Sequence, residues 1–207
     1  MWLVVPVVAF AQLNPSDTLR WKADLATTGF WQAGNVHTVI FRAKTEITIE
    51  PIRHWVFKTT NSYVYQEFGR VKADEDILSL NFLSYKPTQR VYPVLLGFVS
   101  TNFRRDIDRR TLLGAGLTLD LLQAKNAWLK VALSSELEHT AFGTSAFNRA
   151  RYNGQTRINT VRGTLWVNGR YDVLPKRLIL NHQSYIQPSL EARDNYRWQA
   201  DLGLEMP

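Results

Sequence analysis

His182 and Ser184 are the residues whose types and spacing come nearest to a catalytic pair. Residues two apart on a strand share a face, so the imidazole could take the proton of the hydroxyl, with Glu191 available to orient the ring. Leu178 and Leu180 precede the pair on the same face and would aim it at an apolar phase. No nearby residue offers an oxyanion hole, and such a spacing arises easily by chance. A non-enzymatic protein is therefore the prediction, and hydrolysis by His182 and Ser184 is the alternative.

No cofactor, metal or nucleic-acid partner is predicted. The 207 residues include no cysteine, and His37, His54 and His139 lie far apart, without the spacing of a ligand set. No Gly-rich loop resembles a phosphate cradle. The formal net charge of +7 favours anionic neighbours, but no basic helix or recognisable nucleic-acid module carries it.

Charged residues recur at alternate positions through most of the chain. In Thr38–Ile49 they separate Phe41, Ala43 and Ile47, and on a helix the same charges would wrap around every side. The pattern therefore predicts strands with one apolar and one ionic face. The ionic faces carry Arg20, Lys22, Arg42, Lys44, Glu46, Lys130, Glu136, Arg162, Arg170, Arg197 and Asp201.

The clearest hairpin joins Tyr92–Phe103 to Thr111–Leu122. In the second strand Leu113, Leu117 and Leu119 fall on one face, and small or polar residues on the other. Similar units recur, with Leu78, Leu80 and Phe82 placed on an apolar face, and give about ten strands. Connections near residues 51, 87, 124 and 175 read as short; those near 31, 70, 107, 148 and 191 read as long and charged.

Aromatic residues fall near both ends of these strands. Trp21, Trp55, Tyr92 and Trp128 stand at the end with the short turns; Tyr63, Tyr65, Phe103, Phe142, Tyr185, Tyr196 and Trp198 stand at the other. Short turns at one end, long loops at the other and two aromatic rings are typical of outer-membrane barrels. The predicted fold is all-β, an antiparallel up-and-down transmembrane β-barrel with about ten strands in this sequence and twelve in the complete protein.

Composition agrees with that fold. Mean hydropathy is −0.23, and no apolar run approaches the ~20 residues of a membrane helix. Trp2–Ala11 is apolar and ends in Ala9-Phe10-Ala11, as secretory signals do. Residues 1–11 are therefore interpreted as the remnant of a signal peptide, and residues 12–207 as the barrel domain without its last hairpin. The N-terminus is expected on the periplasmic side of a bacterial outer membrane.

The ionic faces would line the interior of such a barrel. They could form a narrow polar pore that selects small solutes by charge. Alternatively, their ion pairs could fill the interior, which is small in a barrel of this size. The second alternative is favoured. A soluble periplasmic barrel of the lipocalin type remains a further alternative, but it would need the apolar faces inside and the charges outside.

The charges between the two strands of the clearest hairpin form an external basic loop, with Arg104, Arg105, Arg109 and Arg110. Arginines there could hold lipopolysaccharide phosphates by bidentate hydrogen bonds. Alternatively, Asp106 and Asp108 pair with them on a solvated loop. Outer-membrane lipids, and the barrel-insertion machinery during biogenesis, are the expected partners.

Several of these features resemble a known family. Gly34-Asn35 after a Trp-bearing first strand, Tyr63-x-Tyr65, and an Arg/Asp-rich loop leading to Gly114-x-Gly116-Leu117 are similar to the salt-induced outer-membrane proteins, which carry domain of unknown function 481. The resemblance covers about Leu19 to Met206. It implies an outer-membrane β-barrel of Gram-negative bacteria with no established enzymatic activity and no catalytic residues to transfer. The His182-x-Ser184 spacing alone resembles the outer-membrane lipid A deacylase.

Overall fold

The structure, a computed structural model, describes residues 21–146, 152–174, 177–192 and 194–206. The strands are β1 (Trp21–Gln32), β2 (Thr38–Ile52), β3 (Trp55–Phe68), β4 (Val71–Tyr85), β5 (Val91–Asn102), β6 (Ile107–Ala124), β7 (Ala127–Phe142), β8 (Arg157–Leu174), β9 (Leu178–Pro188) and β10 (Tyr196–Glu205). They form one ten-stranded sheet in which each strand pairs antiparallel with the next. The predicted all-β, up-and-down order is confirmed. Residues 1–11, interpreted as a signal remnant, lie outside the described residues.

The two faces of the sheet differ in exposure, because charged side chains are buried on one face and large apolar side chains are exposed on the other. Glu136, Arg162 and Lys130 are only 1%, 2% and 3% exposed, whereas Leu113 and Leu137 on the other face are 70% and 66% exposed. The described residues contain no second layer that could cover a face, so the ionic face is buried because the sheet curls around it. We call this concave side the inner face and the convex side the outer face.

The edge strands of the sheet are β1 and β10, and they do not pair with each other in the part of the chain described. The curled sheet is therefore open between them. Every residue of β1 is exposed, including Lys22 and Asp24 on its inner face. The predicted closure into a barrel is not observed.

The faces of β4 are the reverse of the prediction. Leu78, Leu80 and Phe82 pair across the sheet with Ser62, Thr60 and Lys58. Cross-strand partners share a face, so these three apolar residues lie on the inner face. The reason is a register shift in the hairpin between β3 and β4, where Glu67 pairs with Lys72 but Gln66 pairs with Asp74.

That hairpin is a two-residue turn, although the sequence predicted a long charged connection near residue 70. Gly69 and Arg70 both adopt positive φ, 59° and 65°, as a tight turn between twisted strands requires. The polar stretch Val71–Asp76, interpreted as loop, extends β4 instead, with Lys72 paired to Glu75 at 2.8 Å. Of the connections that the sequence predicted as long, only residues 143–156 and 189–195 are longer than every connection at the opposite end of the strands.

The aromatic residues of the outer face still lie near both ends of the strands. Trp55 packs against Tyr85 with ring centroids 5.0 Å apart, and Phe41 approaches Tyr63 at the opposite end. Tyr92 and Tyr185, assigned to the two rings from sequence, instead point inward: Tyr92 is 1% exposed and Tyr185 packs on Trp166. Trp128 also lies on the inner face, since it pairs across the sheet with Arg170. Aromatic residues thus lie near both ends of the outer face, but not all of those that the sequence predicted there.

A small polar patch interrupts the apolar outer face at the middle of β2, β3 and β4. Its side chains bond to one another: Asn61 donates to Thr45 and Thr59, and Asn81 donates to Ser79. The patch therefore satisfies part of its own hydrogen-bonding capacity.

Two glycines set the separation between β6 and β7. A Cβ atom on Gly114 would lie 2.5 Å from the carbonyl oxygen of Ser135 and 2.6 Å from Cγ of Glu136. One on Gly116 would lie 2.6 Å from Cβ of Ser134 and still closer to the carbonyl oxygen of Leu133. Only a residue without a side chain fits at either position.

The part of the chain that the structure describes contains no helix with the length and hydropathy of a membrane span.

Candidate functional site

The inner face carries three layers of side chains, one above another along the strands. An arginine-rich layer lies at the end with the longest connections, an apolar layer lies in the middle, and a layer around Lys130 lies at the other end. Strand alternation positions them, because every second residue of each strand must point into the curl.

In the arginine-rich layer, three guanidinium groups surround the carboxylate of Glu138. Arg197 Nη2 lies 2.6 Å from Oε1, Arg110 Nε lies 3.3 Å from the same oxygen, and Arg162 Nε bonds to Oε2. These residues come from four strands, β6, β7, β8 and β10. Contact between β7 and β10 is possible only because the sheet curls, since neighbouring strands are ~4.8 Å apart.

Glu136 precedes Glu138 by two residues on β7, so both lie on the inner face, and Glu136 accepts hydrogen bonds from hydroxyl groups. Thr164 donates to its Oε2 at 2.7 Å, and Ser134 donates to Oε1. Gln187 in turn donates to Thr164 at 2.8 Å. Each oxygen of this buried carboxylate thus accepts a hydrogen bond from a neutral hydroxyl group, which stabilises it inside the curl of the sheet.

The middle layer is apolar and was missed by the sequence analysis. Phe82, Val94, Leu96, Leu112 and Trp166 form a buried cluster against which Leu80, Phe98, Ala132 and Tyr185 pack. The layer extends over strands β4 to β9. It separates the two polar layers, so the inner face does not offer a continuous polar path along β4 to β9.

The third layer pairs Lys130 with Asp120 at 3.7 Å, with the Lys130 ammonium 5.6 Å from the ring centre of Tyr92. A cavity of about 40 Å³ lies beside it, bordered by Lys58, Tyr92, Asn168 and apolar residues. This volume has room for one or two water molecules.

The remaining predicted inner-face residues lie on that face but nearer the open edges. Lys44 pairs with Glu46 at 2.7 Å and Lys22 with Asp24 at 3.1 Å, while Arg170 reaches Asp172 and Glu205 at 3.9 and 4.0 Å. Arg42 and Asp201 are exposed, and Arg20 lies outside the described residues. Most of these charges therefore have an opposite charge within 4 Å.

The external basic loop has one member fewer than predicted. Arg104 and Arg105 belong to a short 3-10 helix, Phe103–Arg105, and Arg109 is the third residue of β6; all three are exposed. Arg104 also pairs with Asp74 at 3.1 Å. Arg110 is not part of this loop, because its even position on β6 turns it inward to Glu138.

His182 and Ser184 lie on the outer face of β9, opposite Gly169 and Val167 of β8. The imidazole stacks on the ring of Tyr171, 5.7 Å between centroids, and covers Gly169, where a Cβ would meet it. In the described part of the chain no hydrogen bond joins His182 to Ser184, and Glu191 is exposed in the connection after β9. The geometry is that of side-chain packing on an apolar surface.

No cluster of three or more potential metal ligands occurs among the described residues.

A family model described as "Protein of unknown function, DUF481" matches residues 28–207. The chain belongs to this family. The family resemblance predicted from Gly34-Asn35, Tyr63-x-Tyr65 and Gly114-x-Gly116 is thereby confirmed. No curated protein matches the sequence, so membership in the DUF481 family brings no activity or catalytic residue with it.

Proposed function

We propose that this DUF481 protein is a bacterial outer-membrane β-barrel with a filled interior, acting without enzymatic chemistry. The observation that carries the proposal is the inverted polarity of the sheet. Leu117, Leu133 and Leu165 are adjacent across β6, β7 and β8 and are 57%, 64% and 40% exposed. Water-soluble monomers rarely expose apolar patches larger than a few hundred Å², whereas a bilayer requires such a surface.

The positions of the buried charged residues also support the assignment to a membrane. Placing the buried Glu136, Glu138 and Arg162 toward hydrocarbon would cost several kcal/mol each, and the curl keeps them away from it. A lipocalin-like barrel would need the reverse arrangement, with an apolar calyx inside and charges outside. The apolar layer on the inner face covers only the middle of β4 to β9, and most of the outer leucines have no cover.

The polar patch around Asn61 and Asn81 is compatible with a lipid-facing surface. Its hydroxyl and amide groups bond to one another, which removes part of the cost of exposing them to hydrocarbon. The open edges are the remaining requirement, because unpaired backbone groups are not tolerated in a bilayer. The proposal therefore includes closure of the sheet, in which the backbone groups at the edges of β1 and β10 find partners.

Of the two interior models, we favour the filled one. The apolar layer formed by Phe82, Leu96 and Trp166, together with its neighbours, fills part of the interior and interrupts the polar inner face along β4 to β9. Apolar constrictions exclude water and ions. A structural or binding role at the outer membrane follows, and a narrow pore is the second candidate.

Planar-bilayer conductance of the refolded protein separates these two functions. A filled barrel inserts, as judged by a shift in gel migration between heated and unheated samples, and passes no current. Charge-selective current steps would instead establish the pore. A protein that stays in the soluble fraction and shows no heat-dependent migration would refute the membrane assignment.

A further inference from the structure

The arginine-rich layer opens into a polar recess of about 210 Å³ at the end of the sheet with the longest connections. Its lining includes Arg110, Arg162, Arg197 and Glu138 from the strands, and Tyr152 and Asn195 from the connections. At ~30 Å³ per water molecule in the liquid, the recess has room for several waters, or for a small solute with a few waters. It is too small for a polymer.

Charge is not balanced in this recess. Three guanidinium groups face one carboxylate, because Glu138 is the shared acceptor of Arg110, Arg162 and Arg197. Glu136, the next acid along β7, is engaged by Ser134 and Thr164. Within the described residues, the side chains that line the recess therefore carry a surplus of two positive charges.

The three arginines differ in how much of their hydrogen-bonding capacity the protein uses. Arg162 donates to Glu138, to the carbonyl oxygens of Gln187 and Asn195 and to the side chain of Asn195. Arg197 donates to Gln187 and Glu138. Arg110 uses only its Nε, toward Glu138 and Thr140.

The two terminal nitrogens of Arg110 consequently make no hydrogen bond to any described residue, although its side chain is only 16% exposed. A guanidinium presents its terminal N–H groups in a fork that matches a carboxylate or phosphate. A half-used, largely buried guanidinium beside an excess of positive charge is what an oxyanion site requires.

We infer that this recess binds a small oxyanion, a free phosphate or carboxylate compound, through the terminal nitrogens of Arg110 with Arg197 at its side. This site is distinct from the exposed Arg104, Arg105 and Arg109, and it stands whether or not the barrel conducts. Glu138 acts as the permanent counter-ion that holds Arg162 and Arg197 in place, and the solute neutralises part of the surplus. A lipid headgroup is disfavoured because the recess lies on the inner face, away from the apolar surface.

Isothermal titration of the folded protein with inorganic phosphate, and separately with succinate, tests the inference. We expect saturable binding of at least one of them, weakened about tenfold or more in Arg110→Gln, the loss of a bidentate charge-assisted contact. Arg104→Gln, which removes an arginine from the exposed loop, is the matched control and should bind as the unaltered protein does. Anionic lipid vesicles should not compete for the site.

A second variant guards against misfolding of the first. Arg110→Lys keeps the positive charge next to Glu138 but lacks the guanidinium fork, so it should fold as the unaltered protein does and bind phosphate several-fold more weakly than that protein. Circular dichroism and heat-dependent migration report the fold of each variant. Absence of binding by the unaltered protein would overturn the inference, as would equal losses in Arg110→Gln and Arg104→Gln.

Discussion

Leu133→Lys is the substitution that most directly tests whether the outer face meets lipid. Leu133 lies at the middle of β7, with Leu117 and Leu165 beside it on the neighbouring strands, and is 64% exposed. On a water-exposed surface such a change alters the free energy of unfolding by ~0.5 kcal/mol or less. At the midplane of a bilayer, a lysine on the lipid face of a barrel costs about 2–4 kcal/mol.

Leu190→Lys is the matched control. Leu190 is also 64% exposed, but it belongs to the connection between β9 and β10. There the cost of a lysine should fall to ~0–1 kcal/mol, as it does near the membrane interface. The two variants thus have the same residue change at the same fractional exposure, one in the middle of a strand and the other in a connection.

Urea unfolding of the protein refolded into phospholipid vesicles, followed by tryptophan fluorescence, measures both. We expect Leu133→Lys to lower the unfolding free energy by about 3 kcal/mol, which is more than a hundredfold in the equilibrium constant. Leu190→Lys should lower it by less than a third of that. If both variants lie within ~0.5 kcal/mol of the unaltered protein, the outer leucines face water and the membrane proposal is wrong.

Three further outcomes follow from the packing. Gly116→Ala should destabilise the sheet by ~1–3 kcal/mol, because its Cβ would meet the carbonyl of Leu133 and Cβ of Ser134. Gly97→Ala is the control, because its Cβ would have its nearest neighbour at 3.9 Å. The midpoint of denaturant unfolding should fall in the first variant and change little in the second. Trp166→Ala should lower the free energy of unfolding by ~3 kcal/mol or more. Because it removes part of the apolar layer, it should also give ion conductance in planar bilayers, which the unaltered protein lacks. If the inserted variant passes no current, other residues close the interior. Ser184→Ala should leave both stability and the response to labelled lipid A unchanged, whereas a hydrolytic activity that this substitution abolishes would establish the enzyme alternative.

The face of each strand was predictable from sequence where polar and apolar residues alternate without interruption. On β2, β7 and β8 the ionic residues Lys44, Glu136 and Arg162 lie on the inner face as the period of two requires. On β4 the prediction failed, because apolar residues were assumed to face outward. The alternation of Leu80 and Phe82 is the same on either face. The register shift between Gln66 and Glu67, next to the turn between β3 and β4, assigns them to the inner face.

The candidate recess illustrates the same difference at the level of a site. Arg162 and Arg197 were predicted on the ionic face, but Arg110 was assigned to the external loop with its three neighbours in the sequence. A cluster of neighbouring arginines carries no information on which of them has its side chain on the inner face. The pairing of Arg110 with Ser100 and Thr140 fixes that point, and with it the direction of the side chain.

By itself, the sequence determined the class of structure, the order and approximate number of strands, and the family, because alternation is a local property that each strand carries along its own length. It also determined the absence of cysteine chemistry. The tertiary structure alone decided which residues from distant strands meet: the three arginines around Glu138, the apolar layer from β4 to β9, and the close approach at Gly114 and Gly116. Those contacts depend on register and on the curl of the sheet, which are set by turns and by the packing of many strands together.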